Sequence, residues 1–187
     1  RAQWNKSQEA TQKSMAVIKS MMPFPWLGAH PDTGSEFINR FVIEWCLREQ
    51  VDFSRSRPGK KNDNMYVEER NGHVIRRQVG YIRLDTEKAV KALNNFYDVL
   101  TPYLLHFVAV RRTMRKEKIG SKYLRRFEKT AKTPYQRILA HPAVGEEIKS
   151  ALRGEHAKLN PLVLTREMEK RIETVYDIQK RYGKSRL

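Results

Sequence analysis

Residues 7–21 set Ala10, Met15, Val17, Ile18 and Met21 at helical spacing among Lys and Gln, and predict a helix that Pro23 and Pro25 end. Trp26-Leu27-Gly28-Ala29 is a short apolar run of the kind a buried strand makes. Thr33-Gly34-Ser35-Glu36 then has the form of a capping box, in which a hydroxyl and a Glu three residues on satisfy free backbone N–H groups. The helix it predicts runs to about Arg48. Phe37, Phe41 and Trp45 recur every four residues along it, flanked by Ile38, Val42 and Cys46, and make one wide apolar face. Val51-Asp52-Phe53 alternates as a second short strand would.

From Arg55 to Asn64 the chain is rich in Arg, Lys, Gly, Pro and Asn and reads as a mobile basic loop. A helix from Asp63 or Asn64 would carry Val67, Asn71, Val74, Ile75 and Val79 on one side, with Glu68 in its first turn. Another, from Thr86 to about Phe107, turns Ala89, Leu93, Phe96, Leu100, Leu104 and Phe107 inward and bends at Pro102. Residues 111–132 show no such period and read as a basic linker. Thr133-Pro134 restarts a helix with a cap and a first-position Pro. A further helix is predicted over about 145–157, and after the break at Asn160-Pro161 a last one opens at Thr165, with Met168, Ile172, Val175 and Ile178 as its stripe. The organisation predicted is 1–110, 111–132 and 133–187: an α/β portion, a linker, and a mainly helical, basic C-terminal region.

Charge narrows the function. The 187 residues hold 37 Lys or Arg against 21 Asp or Glu, a formal net charge of +16. Such a balance points to a polyanionic partner, nucleic acid first. Residues 111–132 contain ten of the cations and two acids, half of the net charge. Arg111, Arg112, Arg115, Lys116, Lys122, Arg125 and Arg126 are the candidate contacts to phosphates in that stretch. The single cysteine, Cys46, has no partner for a disulfide, which fits a reducing, intracellular setting. No segment approaches the roughly 20 apolar residues that cross a bilayer, so no membrane role is expected.

Two acids carry the sharper chemistry. Asp32 follows the first predicted strand, and Glu68 opens a helix whose positive N-terminus favours its ionised form. Singly, either is explained as well by a turn or by a helix dipole. Asp32-Thr33-Gly34 copies the aspartic-protease tripeptide, but the helical signal that follows at once argues against that fold. Glu36 is accounted for by the capping box, and His30 as a lone surface or hydrogen-bonded histidine. Together, Asp32-Thr33-Gly34-Ser35-Glu36-Phe37-Ile38-Asn39, Phe53-Ser54-Arg55-Ser56-Arg57-Pro58, Lys61-Asn62-Asp63-Asn64 and Val67-Glu68 resemble the catalytic core of DDE transposases and retroviral-type integrases, in the form found in bacterial insertion sequences.

That resemblance, densest over residues 24–80, implies a ribonuclease H-like fold and DNA strand transfer dependent on two Mg²⁺ or Mn²⁺ ions. Asp32 is similar to the family's second metal ligand and Glu68 to its third. Asn62 and Asn64 match positions in the loop near DNA, where Lys60 and Lys61 would meet phosphates; a plain polar turn explains the four residues nearly as well. The partners implied are double-stranded DNA, at transposon ends and target, and further copies of the protein, in a bacterial cytoplasm near the nucleoid. The family's first Asp stands on the first strand of its sheet, and that strand and its two neighbours would precede Arg1. Glu9, the only acid among the first 31 residues, stands in a helical pattern and is no substitute. The chain therefore reads as a partial integrase core that binds DNA with steep salt dependence and does not join it. Two other readings stay open: a non-catalytic remnant that binds DNA through 111–132 and the later helices, with Tyr123 and Phe127 stacking on bases or merely packing, and an unrelated basic RNA-binding helical protein.

Overall fold

The computed structural model describes residues 1–31, 34–57, 59, 63 and 71–184. They fall into two units, Arg1–Asn95 with Arg171–Leu187, and Phe96–Lys170. The fold is mixed α/β, and among the described residues both sheets are two-stranded.

In the first unit, α1 (Gln8–Ser20) is capped by Ser7, whose side chain accepts from the Ala10 N–H, with Glu9 in its first turn and Lys19 in its last. Those charges suit the two ends of the helix dipole. Thr11 and Met15 face inward, whereas Val17 and Met21, expected on the apolar side, are exposed. The two predicted strands are present as β1 (Gly28–Ala29) and β2 (Asp52–Phe53), though the first is not the buried run expected, since Leu27 and Gly28 are exposed. They pair in parallel, Gly28 opposite Asp52 and Ala29 opposite Phe53. A parallel pair needs a crossover, and α2 (Arg40–Arg48) supplies it.

The start of α2 corrects the sequence reading. Its cap is Asn39, whose side chain accepts from the Val42 N–H at 3.0 Å; Thr33, the hydroxyl of the predicted box, lies outside the described residues. Residues 34–38 form a turn instead, in which the N–H groups of Phe37 and Ile38 both reach the Gly34 carbonyl. Asn39 Nδ2 also donates to the Glu36 carbonyl at 2.7 Å, binding the turn to the cap. The apolar face turns accordingly. Val42, Trp45 and Cys46 are buried with Met15 and Val51, and Phe41 is exposed. Trp26 meets Trp45 edge-on, with ring centroids 6.0 Å apart. Lys19 joins the ends of α1 and α2 through an ion pair to Glu49 at 2.6 Å.

A π-helical segment, Asn71–Arg76, continues into α3 (Arg77–Val79), which covers the described part of the helix predicted beyond Asp63. Then comes α4 (Glu87–Phe107), started by Thr86, whose Oγ1 accepts from the Ala89 N–H. Pro102 lies inside α4, which continues through it. The first unit ends with the second half of α7 (Pro161–Tyr182). There the buried Gln179 exchanges two hydrogen bonds with Asp85, and the Tyr176 hydroxyl donates to the Val79 carbonyl.

The second unit differs most from expectation. Residues 111–132 are not a bare linker: they hold β3 (Thr113–Ile119) and β4 (Lys122–Phe127), an antiparallel hairpin. Its connection is Gly120-Ser121, and Gly120 adopts a φ of 61°, as a tight hairpin turn requires. Next, α5 (Pro134–Leu139) has the predicted Thr133 cap, here a full capping box with Gln136. Helix α6 spans Glu146–Lys158. The last helix, α7, begins at Pro161, earlier than predicted, because Asn160 accepts from the N–H groups of Leu162 and Val163 and serves as its cap. Phe96, Val99, Leu100, Leu152 and Met168 are the buried hydrophobics of this unit.

Candidate functional site

Two parallel strands bring their carboxyl ends to one side, the place where parallel sheets gather ligands. The chain leaves β1 through His30-Pro31 and β2 through Ser54–Arg57. Beyond the two-residue strands the pairing persists, from the Ser54 N–H to the Ala29 carbonyl at 3.0 Å and from the Ser56 N–H to the Pro31 carbonyl at 3.4 Å. His30 Nδ1 lies 2.8 Å from Ser54 Oγ, and Ser56 is buried with its hydroxyl 3.5 Å from the Pro31 carbonyl. This strand-end cluster is polar and held by backbone bonds, so the segment that follows Pro31 departs from a fixed point.

Asp63 stands in the same neighbourhood. Its carboxylate takes Arg57 Nε at 2.9 Å and Nη2 at 3.0 Å, and the Arg57 N–H at 3.1 Å. Those bonds, with the nearby charge of His30 adding to them, hold Asp63 far below the usual carboxylate range. A carboxylate so engaged has little left to offer a cation. Among the described residues no group of three or more His, Cys, Asp or Glu is placed to hold a metal ion. Asp32 and Glu68, the expected ligands, lie outside the described residues, as do Lys60, Lys61, Asn62 and Asn64.

The other predicted contacts are placed. Arg111 and Arg112 lead into the hairpin, Arg115 and Lys116 stand on β3, and Lys122, Arg125 and Arg126 on β4. The pairing sorts them. Lys116 opposite Arg125 and Lys118 opposite Tyr123 share one face; Arg115 opposite Arg126, Glu117 opposite Leu124 and Ile119 opposite Lys122 share the other. On the first face the Lys116 ammonium lies 4.3 Å from the centre of the Tyr123 ring, and on the second Arg115 pairs with Glu117 at 2.5 Å.

What fastens this hairpin has no counterpart in the sequence pattern. Glu128 receives Arg137 through Nη1 and Nη2, at 2.8 and 2.6 Å, and accepts the Arg112 N–H at 3.0 Å. Arg137 also donates to the Val110 carbonyl at 2.7 Å, and Val110 and Lys132 exchange backbone bonds. The Arg137 guanidinium first, then the Arg112 N–H, bring the Glu128 carboxyl down to about 2. A second feature that sequence reasoning misses is an aromatic cluster. His106 Nδ1 lies 3.1 Å from His156 Nδ1, and Tyr135 stacks on His156 at 4.3 Å. Burial pushes the His106 pKa down, the neighbouring His156 adds to this, and Glu155 opposes it. Neither feature has a sequence signal: the Glu128–Arg137 pair spans nine residues across the end of the hairpin, and His106 and His156 stand 50 apart.

No protein-family profile and no solved structure matches the chain. Over 109 residues it is 38% identical to an uncharacterised protein, y4rM, of Sinorhizobium fredii (strain NBRC 101917 / NGR234), a match covering 58% of this chain. The chain spans 31% of the length of that curated relative. No helix of the described residues is long and apolar enough to cross a membrane.

Proposed function

We propose that this chain is a DNA-binding portion of a DDE-type transposase of the ribonuclease H-like class. The observation that supports it best is the β1–α2–β2 crossover, whose parallel strands end together just before Asp32 in sequence and just before the basic loop that leads to Glu68. An acid after a strand end and an acid on a following helix are what a two-cation phosphoryl-transfer site needs, because Mg²⁺ and Mn²⁺ take hard oxygen ligands from rigid elements. In the intact protein two such ions would activate the attacking oxygen and steady the leaving one. Asp32 and Glu68 are two of the three carboxylates that such a site uses. With two of three, the chain by itself binds duplex DNA through its excess of cations and does not join it.

The experiment is a joining assay on the 187-residue chain with labelled duplex and Mn²⁺, run beside a binding titration. The expected result is binding that weakens steeply with salt and no nicked or joined product. Robust metal-dependent joining, or no affinity for DNA, would overturn the reading. A basic RNA-binding role is the second reading, favoured by the net charge alone, and predicts tighter binding to structured RNA.

A further inference from the structure

The β3–β4 hairpin is bare. Of its strand residues only Glu117 is even partly covered. A two-stranded hairpin without a covering layer is marginal in water. This one also sets cations directly opposite each other twice, Arg115 against Arg126 and Lys116 against Arg125, an arrangement that opposes its own pairing. Its base is nonetheless secured by Glu128, Arg137 and the Val110–Lys132 bridge. A ribbon anchored at one end, uncovered on both faces and loaded with like charges suits a polyanion.

Its dimensions and its two faces indicate which polyanion. Seven residues at about 3.4 Å each make a ribbon roughly 24 Å long, about seven base pairs of B-form duplex. Two strands about 5 Å apart fit a major groove about 12 Å wide. One face carries Lys116, Lys118, Arg125 and Tyr123 with no acid; the other carries Glu117 and the apolar Ile119 and Leu124 beside its cations. We propose that the hairpin enters the major groove of duplex DNA with the Lys116, Lys118, Tyr123 and Arg125 face toward the base edges. Arg125 there offers the planar fork that reads guanine. This assignment rests on the reading of DNA as the substrate and adds the surface and the groove.

The test is fluorescence anisotropy with the full chain and a labelled duplex, as DNA and as RNA, across a salt series. The wild type binds the DNA duplex more tightly, since the deep, narrow major groove of A-form RNA does not admit a ribbon. Lys116→Ala with Lys118→Ala and Arg125→Ala lowers DNA affinity tenfold or more and relaxes discrimination between duplex sequences, as lost base-edge contacts do. A control removing equal charge from exposed helical sites, Lys158→Ala with Arg166→Ala and Lys180→Ala, keeps affinity within about threefold of the wild type. Leu124→Thr, at an exposed position on the opposite face of the same ribbon, also stays within about threefold, which separates a weakened interface from an unfolded hairpin. Equal losses from the two triple variants, equal losses from the two faces, or equal affinity for RNA would each overturn the ribbon while leaving DNA binding in place. Absence of DNA binding by the wild type would overturn both.

Discussion

The like-charge pairs of the hairpin give a prediction in which stability and binding move in opposite directions. Arg115 faces Arg126 and Lys116 faces Arg125 across the strands, all four exposed. A directly opposed pair of like charges costs about 0.2–1 kcal/mol. Arg125→Gln with Arg126→Gln relieves both and adds about 0.4–2 kcal/mol to the hairpin, or roughly 2- to 30-fold in its opening equilibrium, at about 1.4 kcal/mol per factor of ten. Gln is chosen because it adds no β-branched preference of its own. The assay is hydrogen exchange over residues 113–127 followed by mass spectrometry, where the free variant exchanges more slowly than the wild type by that factor. The gain shrinks in about 1 M salt, where the screening length falls to about 3 Å. Affinity for duplex DNA falls in the same variant. Unchanged or faster exchange at low salt would refute the claim that these pairs oppose folding, and unchanged DNA affinity would refute the claim that Arg125 serves binding.

The packing yields four further outcomes. Trp45→Ala removes a ring that is 3% exposed in the first unit's core, and chemical denaturation should report a loss of about 3–5 kcal/mol. Gln50 links α2 to β2 with a φ of 55°, so Gln50→Gly should stabilise the same unit by about 1 kcal/mol in that assay. Thr133→Ala removes both hydroxyl and box at the start of α5 and should cost about 1–2 kcal/mol, read as faster exchange over 133–140. His106 is held below its ordinary 6.5 by burial and by His156, so the folded state favours the neutral ring. Its contribution is complete above pH 6.5 and is lost as pH falls from there toward the depressed folded value. Thermal melts between pH 7.5 and 5 should show that decline, and His106→Phe should flatten it.

Much of the fold is legible in the sequence because its signals are local. Trp26–Ala29 and Val51–Phe53 stand out as strands by hydrophobicity and alternation, and Thr133-Pro134 as a helix start because the cap and the first-position Pro act within four residues. The start of α2 is harder to place because two capping sequences compete within seven residues. Asn39 caps α2, and its Nδ2 ties back to the Glu36 carbonyl. The hairpin is hidden by its cations, which break the alternation usually used to find strands. The signal present is Gly120-Ser121, a two-residue turn between runs containing Met114, Ile119, Tyr123, Leu124 and Phe127. The Glu128–Arg137 clamp joins the end of β4 to α5 at a separation of nine that matches neither helix nor strand period, and His106 and His156 stand 50 apart, so no spacing rule pairs them. The acids of the candidate site are legible only as a spaced set, Asp32 and Glu68 with the motifs around them, because a single carboxylate after a strand has many ordinary explanations.

The central claim is that Asp32 and Glu68 form part of one metal site, and Mn²⁺ binding followed by electron paramagnetic resonance tests it most directly. The free-ion signal should fall as the 187-residue chain is added, and Asp32→Ala and Glu68→Ala should each restore most of it while leaving DNA affinity in place. Mn²⁺ binding that neither substitution changes would contradict the account.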